Sequence, residues 1–190
     1  MSDIITFNTE TSVKSKPVLE KKAIFNLVAD NDPILREVMP EFNFDNPPVN
    51  PNSFASTLVE TCKFFKGFGL SANQCGFRHR VFVMGCDDEY VAFFNPKVIN
   101  QSTENITIDE GCLSFPFLTL KISRPKEIFV EYQDYNGNIK NTKFVGISAR
   151  CFLHELDHMN GIVYTSKTKP MALQFGMKKR NKLIKKMKLK

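Results

Sequence analysis

His154, Glu155 and His158 stand in the run Cys-Phe-Leu-His-Glu-Leu-Asp-His-Met-Asn-Gly. Imidazoles four residues apart share one face of a helix. The second lies about 40° around the axis from the first, and Glu155 lies about 60–100° from each. Two neutral imidazoles so placed can hold a divalent transition metal, while the carboxylate reaches a water on that metal without ligating it. The bland alternative is a polar helix face. It explains most isolated histidines and stays open on this motif alone.

A third ligand is missing from the motif, and the chain restricts its origin. Histidine occurs only at 79, 154 and 158, and no His, Asp or Glu follows Met159. Proteases with this helix take their third ligand downstream. Here it must come from upstream, where a carboxylate, His79 or one of Cys62, Cys75, Cys86, Cys112 and Cys151 can supply it.

Cys112 has distinctive surroundings, Ile-Asp-Glu-Gly-Cys-Leu-Ser-Phe-Pro. A β-rich run, Ile106-Thr107-Ile108, meets a glycine that permits a close backbone approach, which suits an inward-pointing thiolate. A lone cysteine beside apolar residues is more often a small buried hydrophobe. A third segment, Gly67-Phe68-Gly69-Leu70-Ser71-Ala72-Asn73-Gln74, follows a predicted helix; by itself it reads as ordinary glycine capping.

Taken in order, the three segments resemble the peptide deformylases, whose usual motifs are Gly-hydrophobic-Gly-hydrophobic-Ala-Ala-x-Gln, Glu-Gly-Cys-Leu-Ser and His-Glu-x-Asp-His. This chain reads Gly67 to Gln74, Glu110-Gly111-Cys112-Leu113-Ser114 and His154-Glu155-Leu156-Asp157-His158. Lesser similarities run from Asp32-Pro33-Ile34-Leu35-Arg36 to Asn160-Gly161, so the resemblance covers roughly 24 to 166. Ser71 stands for the usual Ala, Asn73 for a frequent Pro, Leu153 for a common Gln and Met159 for Leu.

The resemblance implies removal of the formyl group from the N-terminal methionine of nascent polypeptides, releasing formate. It implies metal ligation by Cys112, His154 and His158, with Fe²⁺ expected and Zn²⁺, Ni²⁺ or Co²⁺ as substitutes. Glu155 would be the base, and the Gln74 amide and Leu113 N–H the oxyanion donors. Gly67, Phe68, Gly69, Glu110, Ile147 and Cys151 would contact substrate. Arg124 is expected to pair with Asp157 and brace the metal helix. Two rivals are a different metal peptidase and a non-catalytic ribosome- or RNA-binding protein with a structural metal.

The elements that position these residues are legible in part. Phe54, Leu58, Cys62 and Phe65 recur at helical spacing, with Asn52 or Ser53 as cap and Gly67 as stop. Strands are predicted at Val81–Met84, Tyr90–Phe94, Leu118–Ser123 and Ile128–Gln133, the last meeting an Asn136-Gly137 hairpin signal before a return strand near Ile139–Phe144. A second helix begins at Ile147 or Ser148 and carries the histidines. The expected fold is a single α+β domain, with mixed or antiparallel sheets around a central metal-binding helix. Residues 1–20 read as a polar arm, 21–170 as the catalytic domain and 171–190 as a basic tail able to form a helix.

Composition agrees with one body: 190 residues, 42% hydrophobic, 18 of them Phe, can fill a sizeable core. No apolar run has the length of a membrane span. An odd cysteine count without framework spacing, and an N-terminus without a signal-peptide pattern, point to a reducing, cytoplasmic setting. The formal charge is +6, yet eight basic residues and no acid lie between Met177 and Lys190, so the whole excess sits in the tail. Leu183, Ile184 and Met187 give that tail a narrow apolar stripe. It is expected either to fray in solvent or to dock on ribosomal RNA.

Overall fold

A computed structural model describes residues 23–86 and 89–188, so the predicted arm over 1–20 lies outside the described residues. Among the described residues there are three α-helices, α1 (Pro51–Phe64), α2 (Ile147–Met159) and α3 (Pro170–Lys188). Seven strands accompany them: β1 (Gly69–Ser71), β2 (Val81–Cys86), β3 (Glu89–Gln101), β4 (Asn105–Glu110), β5 (Leu120–Pro125), β6 (Glu127–Gln133) and β7 (Ile139–Val145). Every pairing is antiparallel, in a five-stranded sheet of order β1-β2-β3-β6-β7 and a separate β4-β5 ladder. The fold is α+β, and α2 is its central helix.

The five-stranded sheet is covered on both faces, which explains the unbroken apolar run of β2. Val81 and Val83 pack with Phe54, Leu58 and Leu70 beneath α1, whereas Phe82 and Met84 turn to the cluster around Phe152 and Met159 of α2. The Phe152 ring meets Phe82 at 5.1 Å and Phe93 at 5.4 Å, both edge to face. Burying such a ring is worth about 1.5–3 kcal/mol and fixes the rotation of α2, so its histidines point one way.

Local chemistry sets the remaining bounds. Helix α1 starts before the predicted caps, because Pro51 occupies its first turn and Asn50 accepts a hydrogen bond from Ser53 N–H at 2.9 Å. Asn95 (φ 49°) breaks the β3–β6 register, and its side chain bonds both backbone groups of Phe42. Gly137 (φ 83°) sits in the β6–β7 turn announced by Asn136-Gly137.

Helix α3 begins at Pro170, upstream of the basic run. Leu173 and Met177 pack on the core, and Arg180 is buried against Asp30 (2.6 Å) and the Pro116 carbonyl (3.0 Å). Among the described residues no helix is long and apolar enough to cross a membrane.

Candidate metal centre and active site

Cys112 follows the end of β4, and His154 and His158 come from buried positions on α2. A tetrahedral ion with metal–sulfur and metal–nitrogen bonds of ordinary length sets such donors roughly 3.3–3.6 Å apart. Cys112 Sγ and His158 Nε2 are 3.3 Å apart, and the three donor atoms lie within 4.8 Å of one another. One soft thiolate and two imidazoles suit a divalent first-row metal. His79, an open alternative in sequence, is elsewhere: it packs edge to face on Phe42 and Phe54 and stacks with Phe77.

A buried charge network holds the ligands from behind. Glu110 accepts hydrogen bonds from Arg124 Nε (2.8 Å) and Nη2 (2.6 Å), from Arg150 Nη1 (2.8 Å) and from His154 Nδ1 (2.7 Å). Burial would raise the Glu110 pKa, but the bonds and charges of Arg124 and His154 outweigh it and hold the carboxyl well below the usual range. An ionised Glu110 must accept from Nδ1–H, which leaves His154 Nε2 facing Cys112. Burial pushes His158 well below the usual imidazole range, favouring the neutral form that a metal requires. Arg124 also reaches Asp157 at 2.8 Å, the pairing expected from sequence, and so ties β5 to α2.

Glu155 lies on the cleft side of this centre. Burial drives its pKa up to about 7 against the lowering effects of His154 and Ser71. Its Oε1 presses on Gly69, where an added Cβ would stand 2.5 Å away, and its buried Oε2 bonds no described residue. A buried carboxylate oxygen without a protein partner is free to exchange a proton with substrate or water. Across the centre, Gln74 Nε2 donates to Ser114 Oγ at 3.0 Å and to Cys112 Sγ at 3.4 Å.

A cleft of about 440 Å³ opens over the centre and is lined by Gly67, Phe68, Gly69, Gln74, Glu110, Cys112, Leu113, Ile147, Cys151, His154 and Glu155, so nearly every residue singled out in sequence comes together. Phe68 and Ile147 form an exposed apolar rim. Leu113 lies against Gly67, where an added Cβ would meet its Cδ1 at 2.7 Å. Glu110 lines the cleft, but its carboxylate is taken up by Arg124, Arg150 and His154. Two residues escaped the sequence reading. Arg150 precedes His154 by four residues and shares its helix face, a visible signal; Ser71 was noticed only as a departure.

An antiparallel α+β body, a Cys-His-His donor set on a central helix and a carboxylate at its edge define a class of metalloenzyme folds. The sequence profile of the polypeptide deformylase family matches residues 24–174. The peptide deformylase of Finegoldia magna is 37% identical over 147 residues, covering 76% of this chain and 90% of that one. Crystal structures of peptide deformylases superpose well: that from Plasmodium falciparum at TM-score 0.76 and 30% identity over 86% of this chain and 98% of that one, and that from Thermotoga maritima at 0.73 and 33% over 77% and 99%. The chain belongs to the polypeptide deformylase family.

Proposed function

We propose that this chain removes the formyl group from the N-terminal methionine of nascent polypeptides by hydrolysis at the Cys112–His154–His158 centre. The observation that carries the reading is the Glu155 carboxylate, buried beside the donor set with one oxygen unpartnered. A divalent metal held by the three donors, Fe²⁺ as the family resemblance implies with Zn²⁺, Ni²⁺ or Co²⁺ as substitutes, supplies Lewis acidity toward the formyl carbonyl and the attacking water.

Glu155 takes the proton of that water and returns it to the departing amine through its unpartnered oxygen. Gln74 Nε2 and the Leu113 N–H stabilise the charge that develops on the formyl oxygen. Glu110 and Arg150 hold His154, and Arg124 anchors both Glu110 and Asp157. Strand β1 is an edge of the five-stranded sheet, so the Gly67–Gly69 segment offers an extended peptide a backbone partner. The methionine side chain enters the apolar part of the cleft among Phe68, Leu113, Ile147 and Cys151.

The test compares formyl-Met-Ala-Ser with acetyl-Met-Ala-Ser. Formate and a free amine from the first, with no internal cleavage of either, is expected; amines released from internal bonds would instead make the chain a peptidase.

The exposed lysines of α3, Lys178, Lys179, Lys182, Lys185 and Lys186, fit docking on ribosomal RNA, and with that a cytoplasmic setting. Glutamine at all five, which leaves the Arg180 anchor intact, should abolish low-salt co-sedimentation with ribosomes. Unchanged sedimentation would remove this part of the proposal.

A further inference from the structure

Ser71 ends β1 fully buried, one residue before the turn that presents Gln74. Its backbone N–H donates to Gln74 Oε1 at 3.0 Å, and its hydroxyl lies 2.9 Å from the same oxygen. A backbone N–H can only donate, so the atom it meets must be the carbonyl of the amide; the single hydroxyl proton is shared between that oxygen and its other neighbours. The amide orientation follows: Nε2 is turned outward, to Ser114 Oγ and Cys112 Sγ.

The hydroxyl has a second task. Asn73 Oδ1 lies 3.0 Å from it, while Asn73 Nδ2 donates to the main-chain carbonyl of His158 at 2.9 Å and faces that of Ile34 at 3.4 Å. Asn73 therefore also presents its carbonyl end to Ser71. The hydroxyl, which interacts with Glu155 as well, stands at the junction of the oxyanion donor, the base and the segment bearing His158. Alanine at this position would keep the N–H bond to Gln74 Oε1 and the Nε2 contacts with Ser114 and Cys112, but would take from Asn73 Oδ1 and Gln74 Oε1 the hydroxyl they share, so that the amide is held less firmly at its carbonyl end.

Resting on the deformylase reading, we infer that Ser71 is a positioning residue for this reaction: its hydroxyl sets the angle from which Gln74 Nε2 meets the formyl oxygen. It touches neither substrate nor metal. Its effect passes through Gln74.

Four metal-loaded proteins test this: wild type, Ser71→Ala, Gln74→Met and the double variant, assayed on formyl-Met-Ala-Ser. Complete loss of such a donor lowers kcat by about 10²–10³, and a loosened one by about tenfold. Ser71→Ala is thus expected to lower kcat about tenfold with KM within about twofold, and to add less than about twofold once Gln74 is Met. Independent, multiplying losses, or a Ser71→Ala kcat within about twofold of wild type, would overturn the proposal.

A second readout does not use turnover. Gln74 Nε2 donates to Cys112 Sγ, so in Co²⁺-loaded protein the thiolate-to-metal charge-transfer band should move in Ser71→Ala in the same direction as in Gln74→Met. An unmoved band in Ser71→Ala beside a moved one in Gln74→Met would overturn the proposal. If wild type releases no formate, the deformylase reading fails, while the band still decides whether Ser71 sets Gln74.

Discussion

Gly69→Ala tests the placement of Glu155 without touching its chemistry. Gly69 has no left-handed backbone torsion, so alanine is conformationally acceptable there; the obstacle is the neighbour. An added Cβ would stand 2.5 Å from Glu155 Oε1 and 2.9 Å from Cδ and Cγ. Ordinary contact needs about 3.4 Å, so the carboxylate must retreat by about 1 Å, and a displacement of that size costs about 10² in rate. Because the group that gives way is the end of a flexible side chain, the fold should survive, with metal content unchanged and the melting temperature nearly so. Steady-state formate release should show the loss mainly in kcat. Gly69 also borders the cleft, so the same change is made in a Glu155→Gln background, where no base remains to displace; there it should cost less than about twofold. Wild-type-like kcat in Gly69→Ala, or an equal loss in both backgrounds, would refute this account of the base.

Three further outcomes follow from other parts of the molecule. Arg124→Leu removes two of the hydrogen bonds to the buried Glu110, leaving it Arg150 and His154, and leaves Asp157 only Lys167 at 3.1 Å, so stability should fall by about 3–5 kcal/mol, on the order of 10 °C in thermal melts; an unchanged melting temperature would contradict this. Burial lowers the pKa of His79 among Phe42, Phe54 and Phe77, so its contribution to stability is complete above the unfolded value of about 6.5 and is lost as pH falls through the lower folded value. His79→Phe should therefore flatten the acid side of a melting-temperature profile, and an identical slope would exclude the assignment. Burial, with the nearby Glu155, pushes the thiols of Cys62 and Cys75 up to about 12, so neither should be alkylated in native protein at pH 8; rapid mapping of label to either would show those sites to be open.

The chemistry of the site was more legible in sequence than the architecture that holds it. His154, Glu155 and His158 announce themselves because helical spacing alone puts the two imidazoles on one face, and the β6–β7 hairpin because Asn136-Gly137 favours one turn. The β3–β6 pairing had no local signature, since it joins strands separated by the β4–β5 ladder. The buried charges were legible only in part: the Arg124–Asp157 pair was expected, but the convergence of Arg124, Arg150 and His154 on Glu110 exists only once folding brings β4, β5 and α2 together. Ser71 appeared to be a minor departure because its importance lies in distances to Asn73 and Gln74, not in its type. The anchoring of α3 was hidden for a related reason. Its lysines dominate the composition, whereas its position is fixed by Leu173, Met177 and Arg180, spaced along the helix and matched to surfaces far away in sequence.

The most direct measurement is formate release from formyl-Met-Ala-Ser under anaerobic conditions by Fe²⁺-loaded protein, wild type beside Glu155→Gln at equal measured metal content. Wild type is expected to turn over repeatedly, and the variant to bind as much metal while losing about 10²–10⁴ in kcat. No formate from loaded wild type, or a Glu155→Gln protein within about tenfold of it, would contradict the assignment of Glu155 as the base of a deformylase.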